Sequence, residues 1–460
     1  MMNAIVLAAG KGSRFKSQDP LFNKCLVPIL DEPALSYLVT ALFNAKVEKR
    51  FIVVSEDSPI KKTFENENFV IQKEALGTGH AVQQCLAVLE KSGKTLILPG
   101  DCPTITSQVI TNLIQEHDKY GSDITFLTMK INPDSKYGKI VLDKDGRVAK
   151  IVEKKDATAK EKRIDIGNSG VYLINNELLF KYIPLISNDN LQKEYYLTDI
   201  ILLAINDKKV VRTHEVAPEY VMAFNDRIEL EVVRQIISRR INEEWMLKGV
   251  TIENPEDVII GPHVVLLPDT KLTGGVKILG TSRIGMNNAI TGASYLKNAS
   301  VGNDNKIESS NINDTTIGDK NQIGPFARLR GKTKIHENCR IGKFVEFKNV
   351  VFRSESKCAH LTYLGDADVG KDVNIGCGVV TANYDRVNKW RTTIGDRAFI
   401  GSNSVIIAPV TIETNGFIAA GSTITTNVKE NDMAIARSAQ INYENYSNVL
   451  MERALKKAKK

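Results

Sequence analysis

Several things are scarce in this chain. Cysteine and tryptophan number six and two in 460 residues, and no cysteine stands in a C-x-x-C pair. That spacing indicates neither a zinc site nor a disulfide framework, and it suits a reducing compartment. Long apolar runs are also missing, and nothing approaches the ~20 residues of a membrane-spanning helix. The short apolar run 4–9 has no basic region before it, so it is not read as a secretion signal. We therefore expect a cytoplasmic protein with no membrane partner. Nor does one sign of charge dominate, since 61 basic side chains against 54 acidic ones leave a net charge of +7. Over this length that excess is mild. No nucleic-acid module is visible, and phosphorylated small molecules explain the excess equally well.

What the chain has is a beat. Val369-Gly370 and Ile375-Gly376, then Ile394-Gly395 and Ile400-Gly401, set an aliphatic residue before glycine at a spacing of six. Ile317-Gly318, Ile323-Gly324 and Ile341-Gly342 repeat the pair at gaps of six and eighteen. A period of six fits neither a helix face nor strand alternation, but it is a solenoid period. One hexapeptide makes one flat face with its aliphatic residue inward, and the glycine is expected to ease the corner that follows. Three faces close a coil, and stacked coils make a parallel β-helix. The beat breaks at 358–366 and again at 383–390, a polar, aromatic and basic excursion. Loops thrown off a rigid scaffold are where chemistry usually sits.

The first half reads differently. Ala4–Leu7, Phe51–Val54 and Thr95–Leu98 are strand-like runs separated by segments of helical length, which argues an α/β domain with a largely parallel sheet. The first run enters Ala8-Ala9-Gly10-Lys11-Gly12-Ser13-Arg14, where small residues let backbone N–H groups approach a phosphate. It is not a Walker pattern, and taken alone it is equally an ordinary strand-to-helix turn. The third run ends at Pro99-Gly100-Asp101, a carboxylate at the strand end where open α/β sheets bind ligands. From Asp226 to Lys248, Val233, Ile237, Ile241 and Trp245 form a helical stripe, read as the core side of a connecting helix.

An ordered set of motifs carries a resemblance. Leu7-Ala8-Ala9-Gly10 with Arg14, Gln72 with Gly77-Thr78, Gly100-Asp101, Tyr137-Gly138, Glu153, Asn168-Ser169-Gly170 and Asn225-Asp226-Arg227 follow the order found in sugar-nucleotide pyrophosphorylases. With the β-helix added, the chain resembles the bacterial bifunctional N-acetylglucosamine-1-phosphate uridylyltransferases/glucosamine-1-phosphate N-acetyltransferases, nearly end to end. The resemblance implies an α/β chain with a Rossmann-like nucleotidyltransferase domain at 1–225, a linker helix at 226–249 and a left-handed β-helix acetyltransferase domain with its tail at 250–460. The handedness rests on the resemblance alone.

For the first domain the resemblance implies attack of a sugar 1-phosphate oxygen on the α-phosphorus of UTP, expelling pyrophosphate. Positioning and charge neutralisation carry such a step. Leu7, Ala8, Ala9, Gly10 and Gly100 would cradle the nucleotide, Arg14 and Lys24 would meet phosphates, and Gln72, Gly77 and Thr78 would read uracil. Gly138, Glu153 and Asn168 would hold the sugar. Asp101 and Asn225 would hold Mg²⁺, an ion that takes few protein ligands. The chain departs from the family at Pro20–Lys24, where an adjacent Pro-Lys is opened by an insertion, at Pro99, and at Ala223-Phe224.

For the β-helix, acetyl transfer to a sugar amine needs a base and an oxyanion donor. His360 is the candidate base, because its ordinary pKa lies near neutrality and 359–366 matches the family's catalytic segment. Arg330, Lys348, Tyr363 and Asn374 would bind glucosamine 1-phosphate. Cys377, Asn383, Tyr384, Ser402, Ala420 and Arg437 would face acetyl-CoA, with Cys377 replacing the usual alanine and read as inert packing. Arg330 and Arg437 lack the proline that usually follows nearby. A homotrimer is implied, with N-acetylglucosamine 1-phosphate passing between the sites. The basic end, 440–460, reads as a solvated, frayed terminus.

Two other readings compete. A single-activity nucleotidyltransferase with an assembling or regulating β-helix would have lost His360, Asn374 and Tyr384, and all three are present. A non-catalytic scaffold would have degenerate sites, yet Gly100-Asp101 and Asn225 are intact.

Overall fold

The computed structural model describes residues 2–10, 12–19 and 22–458. The chain divides into two compact units, Met1–Glu243 with Ile260–Pro262, and Glu244–Ile259 with His263–Lys460. Among the described residues no helix is long and apolar enough to cross a membrane.

Among the described residues the main sheet of the first unit has nine strands. They are β1 (Met2–Leu7), β2 (Lys49–Val54), β3 (Asn68–Ile71), β4 (Lys94–Pro99), β5 (Ile124–Lys130), β6 (Lys139–Leu142), β7 (Val148–Val152), β8 (Ile166–Asn175) and β9 (Val211–Glu215). The sheet order is β9-β5-β8-β4-β1-β2-β3, with the β6–β7 hairpin attached to β8. β1 pairs in parallel with both β2 and β4, as the three apolar runs predict. Alternate residues of these strands enter separate cores. Val6, Ile52 and Leu98 pack with the helices Ala34–Asn44 and Ser107–Lys119. Ile5, Val53 and Ile97 pack with Thr78–Cys85 and Asp199–Asn206. Because both faces are covered, the strands read as continuous apolar runs.

The sheet departs from expectation in its middle. β8 runs antiparallel between β4 and β5, with its register broken between Asn168 and Tyr172. Gly170 takes φ +81° in that break, and Ser169 Oγ donates to the Leu127 carbonyl at 2.8 Å. This irregularity lifts Asn168 and Ser169 out of regular alternation. The expected long helix spans Arg227–Leu247; its buried side chains are Leu230, Val233, Ile237 and Asn242, while Ile241 and Trp245 are half-buried. Gly249 follows at φ +90°.

The second unit is a left-handed parallel β-helix of short strands stacked coil on coil. Successive partners on one face are Ser300, Thr316, Lys334 and Val351, so the coils run 16, 18 and 17 residues rather than a constant eighteen. Asp368 pairs with Thr393, a coil of 25 that contains the excursion at 383–390. Ile284, Val301, Ile317, Ile335 and Phe352 stack inward along that face and are buried. Each such side chain contributes about 1.5–3 kcal/mol by leaving water.

The expected role of the repeat glycines needs correcting. Gly370, Gly376, Gly395 and Gly401 do not take left-handed φ, whereas Gly324 does at +99°; many of the corners that do are filled by Asn and Asp, such as Asn298, Asp314, Asn349 and Asp372. These side chains tolerate that conformation better than most. Those four glycines are needed because the next coil passes too close for a Cβ. A Cβ on Gly376 would lie 2.6 Å from the Ser402 nitrogen. Buried asparagines close another corner, where Asn288, Asn305 and Asn321 each accept from the backbone N–H one coil on, at 2.9, 2.8 and 2.8 Å. Tyr446–Ala458 form a helix with no buried residue, so the tail is solvated but regular rather than frayed. Lys459 and Lys460 lie outside the described residues.

Candidate active sites

In the first unit the carboxyl ends of β1, β2 and β4 lie side by side. Leu7 accepts from the Gly100 N–H at 2.9 Å, the Ala8 N–H donates to Val53, and the Gln72 N–H donates to Val54 at 2.9 Å. Gly100 fits closely there, since a Cβ would meet the Leu7 carbonyl at 3.0 Å and Ala8 Cβ at 3.1 Å. Thus Leu7, Ala8 and Gly100 form one floor, with Ala9 and Gly10 continuing from it. Lys11 lies outside the described residues. Arg14 stands exposed in the short turn Ser13–Phe15.

Asp101 follows Gly100 and meets Lys24, whose ammonium also lies 3.3 Å from Asn225 Oδ1. The insertion before Lys24 therefore does not carry it away. Phe22 packs on Phe15, with centroids 5.3 Å apart, and Asn23 Oδ1 accepts from the Cys25 N–H at 2.9 Å, which starts the turn Lys24–Leu26. Pro20 and Leu21 of the insertion lie outside the described residues. Asn225 is held in turn, its N–H donating to Glu229 at 2.7 Å. A carboxylate and a carboxamide oxygen meeting one ammonium are a hard, oxygen-only pair already facing a cation. Among the described residues no group of three or more His, Cys, Asp or Glu side chains is arranged to hold a metal. Cys25 and Cys102 beside Asp101 are pushed up to about 12, by burial first and then by the Asp101 charge. They stay thiols.

Two further groups gather as the resemblance implies. Gln72 is buried and donates to the Gly77 carbonyl at 3.1 Å, with His80 Nδ1 also 3.1 Å away. Gly77, at φ +109°, passes so close to Tyr195 that a Cβ would lie 2.6 Å from its carbonyl oxygen. Thr78 Oγ1 accepts from the Leu197 N–H at 3.0 Å. Gly138, Glu153 and Asn168 also meet. The Asn168 N–H donates to Gly138 at 2.9 Å, and a Cβ on Gly138 would lie 3.5 Å from the Glu153 carboxylate. Burial, then the charges of Asp156 and Asp199, hold the Glu153 carboxyl above its usual range. Asn168 Nδ2 donates to the Tyr172 hydroxyl at 2.5 Å.

In the second unit the candidate residues fall on one edge and one face. The corner at His360-Leu361 is followed one coil on by Cys377-Gly378, then Ser402-Asn403, then Ala420-Gly421. Gly378 donates to Leu361, Asn403 to Cys377 and Gly421 to Ser402, at 2.7, 2.7 and 2.8 Å. Arg437 comes next, its Cδ 3.7 Å from where a Cβ on Gly421 would stand. His360, Cys377, Ser402, Ala420 and Arg437 are all exposed on this edge. Cys377 is therefore not the packed thiol expected, and Cys358 fills the buried column instead. Asn374 is exposed at the strand just before the same edge.

From that edge the adjoining face carries the other group. Arg330, Lys348 and Gly365 are in register on consecutive coils, as are Glu346 and Tyr363. Arg330 grips Glu346 at 2.8 and 2.6 Å. A Cβ on Gly365 would collide with the Tyr363 hydroxyl and with Asn383 Nδ2. Asn383 is buried and donates to Asp366 at 2.5 Å. Tyr384 stands exposed on the excursion, where it bridges to Lys389 in a small antiparallel pair. The sequence reading missed Lys389. Its ammonium lies against Lys348 and, with Arg330, holds that lysine below the ordinary lysine range. With Glu346 on Arg330 and Asp366 near Lys348, the three cations outnumber their carboxylates and leave the patch positive. Only the fold of the excursion reveals this, because Lys389 is forty-one residues from Lys348.

Comparison with known proteins covers both units. Residues 3–219 match the family described as nucleotidyl transferase, and 314–349 and 391–426 match the bacterial transferase hexapeptide family. The chain is 41% identical over 447 residues to a protein named bifunctional protein GlmU from Exiguobacterium sibiricum, covering 96% of this chain and 99% of that one. It is 40% identical over 453 residues to the protein of that name from Listeria monocytogenes, covering 97% and 98%. To that from Halalkalibacterium halodurans it is 38% identical over 447 residues, covering 96% and 98%.

Proposed function

We infer two separate chemistries, one in each unit, from the premise that this chain belongs to the bifunctional GlmU family. It makes UDP-N-acetylglucosamine. Acetyl passes from acetyl-CoA to the amine of glucosamine 1-phosphate; uridylyl then passes from UTP to N-acetylglucosamine 1-phosphate, releasing pyrophosphate.

In the acetyl site His360 takes the amine proton as the nitrogen attacks the thioester carbonyl. The Cys377 backbone N–H receives the oxyanion, and the CoA thiolate leaves. Arg330, Lys348 and Lys389 face the sugar phosphate, Tyr363 and Asn374 hold the sugar, and the edge from Cys377 to Arg437, with Asn383 and Tyr384, holds acetyl-CoA. In the uridylyl site Gln72, Gly77 and Thr78 take the uracil, Gly138, Glu153 and Asn168 the sugar, and Lys24 and Arg14 the phosphates. Asp101 and Asn225 would hold Mg²⁺, which when bound supplies charge neutralisation for the triphosphate. The contact of both oxygens with the Lys24 ammonium supports this. We further propose that the enzyme works in the cytoplasm as a homotrimer.

The observation that carries this reading is the sorting of residues. Every residue implied for uridylyl transfer lies within Met1–Glu243, and every one implied for acetyl transfer lies within His263–Lys460. A reciprocal pair of variants tests it. Asp101→Ala should abolish the Mg²⁺-dependent conversion of N-acetylglucosamine 1-phosphate and UTP while leaving acetylation of glucosamine 1-phosphate intact. His360→Ala should lose acetyl transfer by about 10²–10⁴-fold and keep uridylyl transfer near normal. If either folded variant damages both activities alike, the two-site reading is wrong.

A further inference from the structure

The excursion at 383–390 closes in an unfavourable way. Asp385 and Asn388 flank a two-residue loop, Arg386–Val387, with the Asp385 N–H donating to Asn388 at 3.2 Å and the Trp390 N–H to Asn383 at 2.8 Å. Arg386 takes φ +86° at the first loop position, where a tight hairpin favours glycine. An arginine is strained in that conformation, and strain of this kind persists only where its surroundings over-determine it. Two more influences oppose closure. A lone two-residue hairpin is marginal in water, and this one drives the Lys389 ammonium against Lys348.

One side chain answers all three. Asp385 Oδ1 accepts from the Val387 N–H at 2.9 Å and the Asn388 N–H at 2.6 Å, while Oδ2 accepts from the Trp390 indole Nε1–H at 2.7 Å. These bonds hold the carboxyl down to about 2, so it is ionised at any working pH. Three donors on a carboxylate are charge-assisted bonds, roughly twice as strong as neutral ones. Beyond the loop, Arg391 clamps Asp368 at 2.5 and 2.8 Å, which anchors the returning strand. The anchor fixes where the hairpin leaves the prism but not whether its tip is shut.

We propose that Asp385 is a positioning residue for acetyl transfer, pinning the strained Arg386–Val387 turn so that Lys389 is already set beside Lys348 and Arg330 before glucosamine 1-phosphate arrives. This rests on the acetyltransferase reading of that face. Asp385 touches neither substrate nor reacting atoms, so its loss acts through the phosphate-binding cation. Without the pin the turn relaxes, Lys389 moves away from its neighbour, and substrate binding must first close the hairpin. The cost falls on binding more than on the chemical step.

The test uses the full-length enzyme. Asp385→Ala should raise the KM for glucosamine 1-phosphate about tenfold or more, with kcat for acetyl transfer within about threefold. Uridylyl transfer from UTP should be unchanged, which also reports that the protein is made intact. Adding Arg386→Gly to Asp385→Ala removes the turn strain and should recover most of the lost KM, a rescue that general structural damage would not give. In a Trp245→Phe background the Trp390 indole N–H resonance should shift in Asp385→Ala and in the milder Asp385→Asn. A KM for glucosamine 1-phosphate within twofold of normal in Asp385→Ala, or no recovery on adding Arg386→Gly, overturns the proposal. Should the parent enzyme not acetylate at all, the acetyltransferase reading falls; the indole resonance would still decide whether Asp385 holds the turn.

Discussion

Single side chains decide more in the uridylyl site than their neighbours suggest. Lys24 follows an insertion that breaks the family spacing, yet Phe22 on Phe15 and the Asn23 cap return its ammonium to Asp101 and Asn225. Local packing restores what spacing loses. Glu153 shows the opposite balance, a carboxylate kept where burial and neighbouring acids disfavour its charge. A carboxyl raised in the folded state stabilises the fold fully below its unfolded pKa. That contribution is lost as pH rises through the raised value. At neutral pH the charge is therefore a burden, and Glu153→Gln should raise the unfolding temperature of the first unit. The gain should vanish below the ordinary carboxylate range, where wild type is neutral as well. Binding should move the other way, with a higher KM for N-acetylglucosamine 1-phosphate, because the ionised acceptor is gone. Thermal scans at two pH values decide it; a variant less stable than wild type at neutral pH would refute the burial account.

Between residues and molecule, the elements show how much the sequence makes legible. The β-helix is readable because inward aliphatic residues recur on every face, and the three parallel strands because both of their faces are buried. The antiparallel β8 is not readable, since Gly167, Asn168, Ser169 and Gly170 interrupt its alternation with a bulge. Nor is the hairpin that delivers Lys389, which depends on three side-chain bonds from Asp385. Motif order marks most of the site residues, while contacts between distant segments supply the rest. Apart from Gly324, the repeat glycines are visible for the wrong reason, as relief of corners rather than of coil-to-coil crowding. A substitution separates the two explanations. Gly395 is outside the left-handed region, but a Cβ there would lie 2.5 Å from the Thr414 nitrogen and 2.7 Å from the Glu413 carbonyl carbon. Backbone cannot swing aside as a side chain does. Gly395→Ala should therefore destabilise the β-helix by about 1–3 kcal/mol in denaturant unfolding. Unchanged stability would show that the neighbouring coil absorbs a Cβ there and would refute the crowding account.

At the scale of the whole molecule, the β-helix carries apolar side chains that water should not hold. Phe326 and Phe344 stack at 5.5 Å on the edge that continues into Leu361, beside His360, and all three are exposed by more than half. Phe399 and Phe417 stack at 4.8 Å on another face. Contiguous exposed apolar rows mark surfaces that a partner covers. If the prisms of the proposed homotrimer complete one another's acetyl sites, the row adjoining His360 is the one a neighbour must bury. Phe344→Glu places a charge in the middle of that row without touching the inward column, so each β-helix should still fold. Sedimentation equilibrium should then show smaller species than the wild-type protein forms. Acetyl transfer should fall in step with the trimer fraction, recovering at high protein concentration by mass action. Uridylyl transfer, which we place in the first unit alone, should stay near normal throughout. A wild-type protein that sediments as a monomer would remove the trimer, and a Phe344→Glu protein that remains trimeric with full acetyl transfer would move the interface away from the His360 edge.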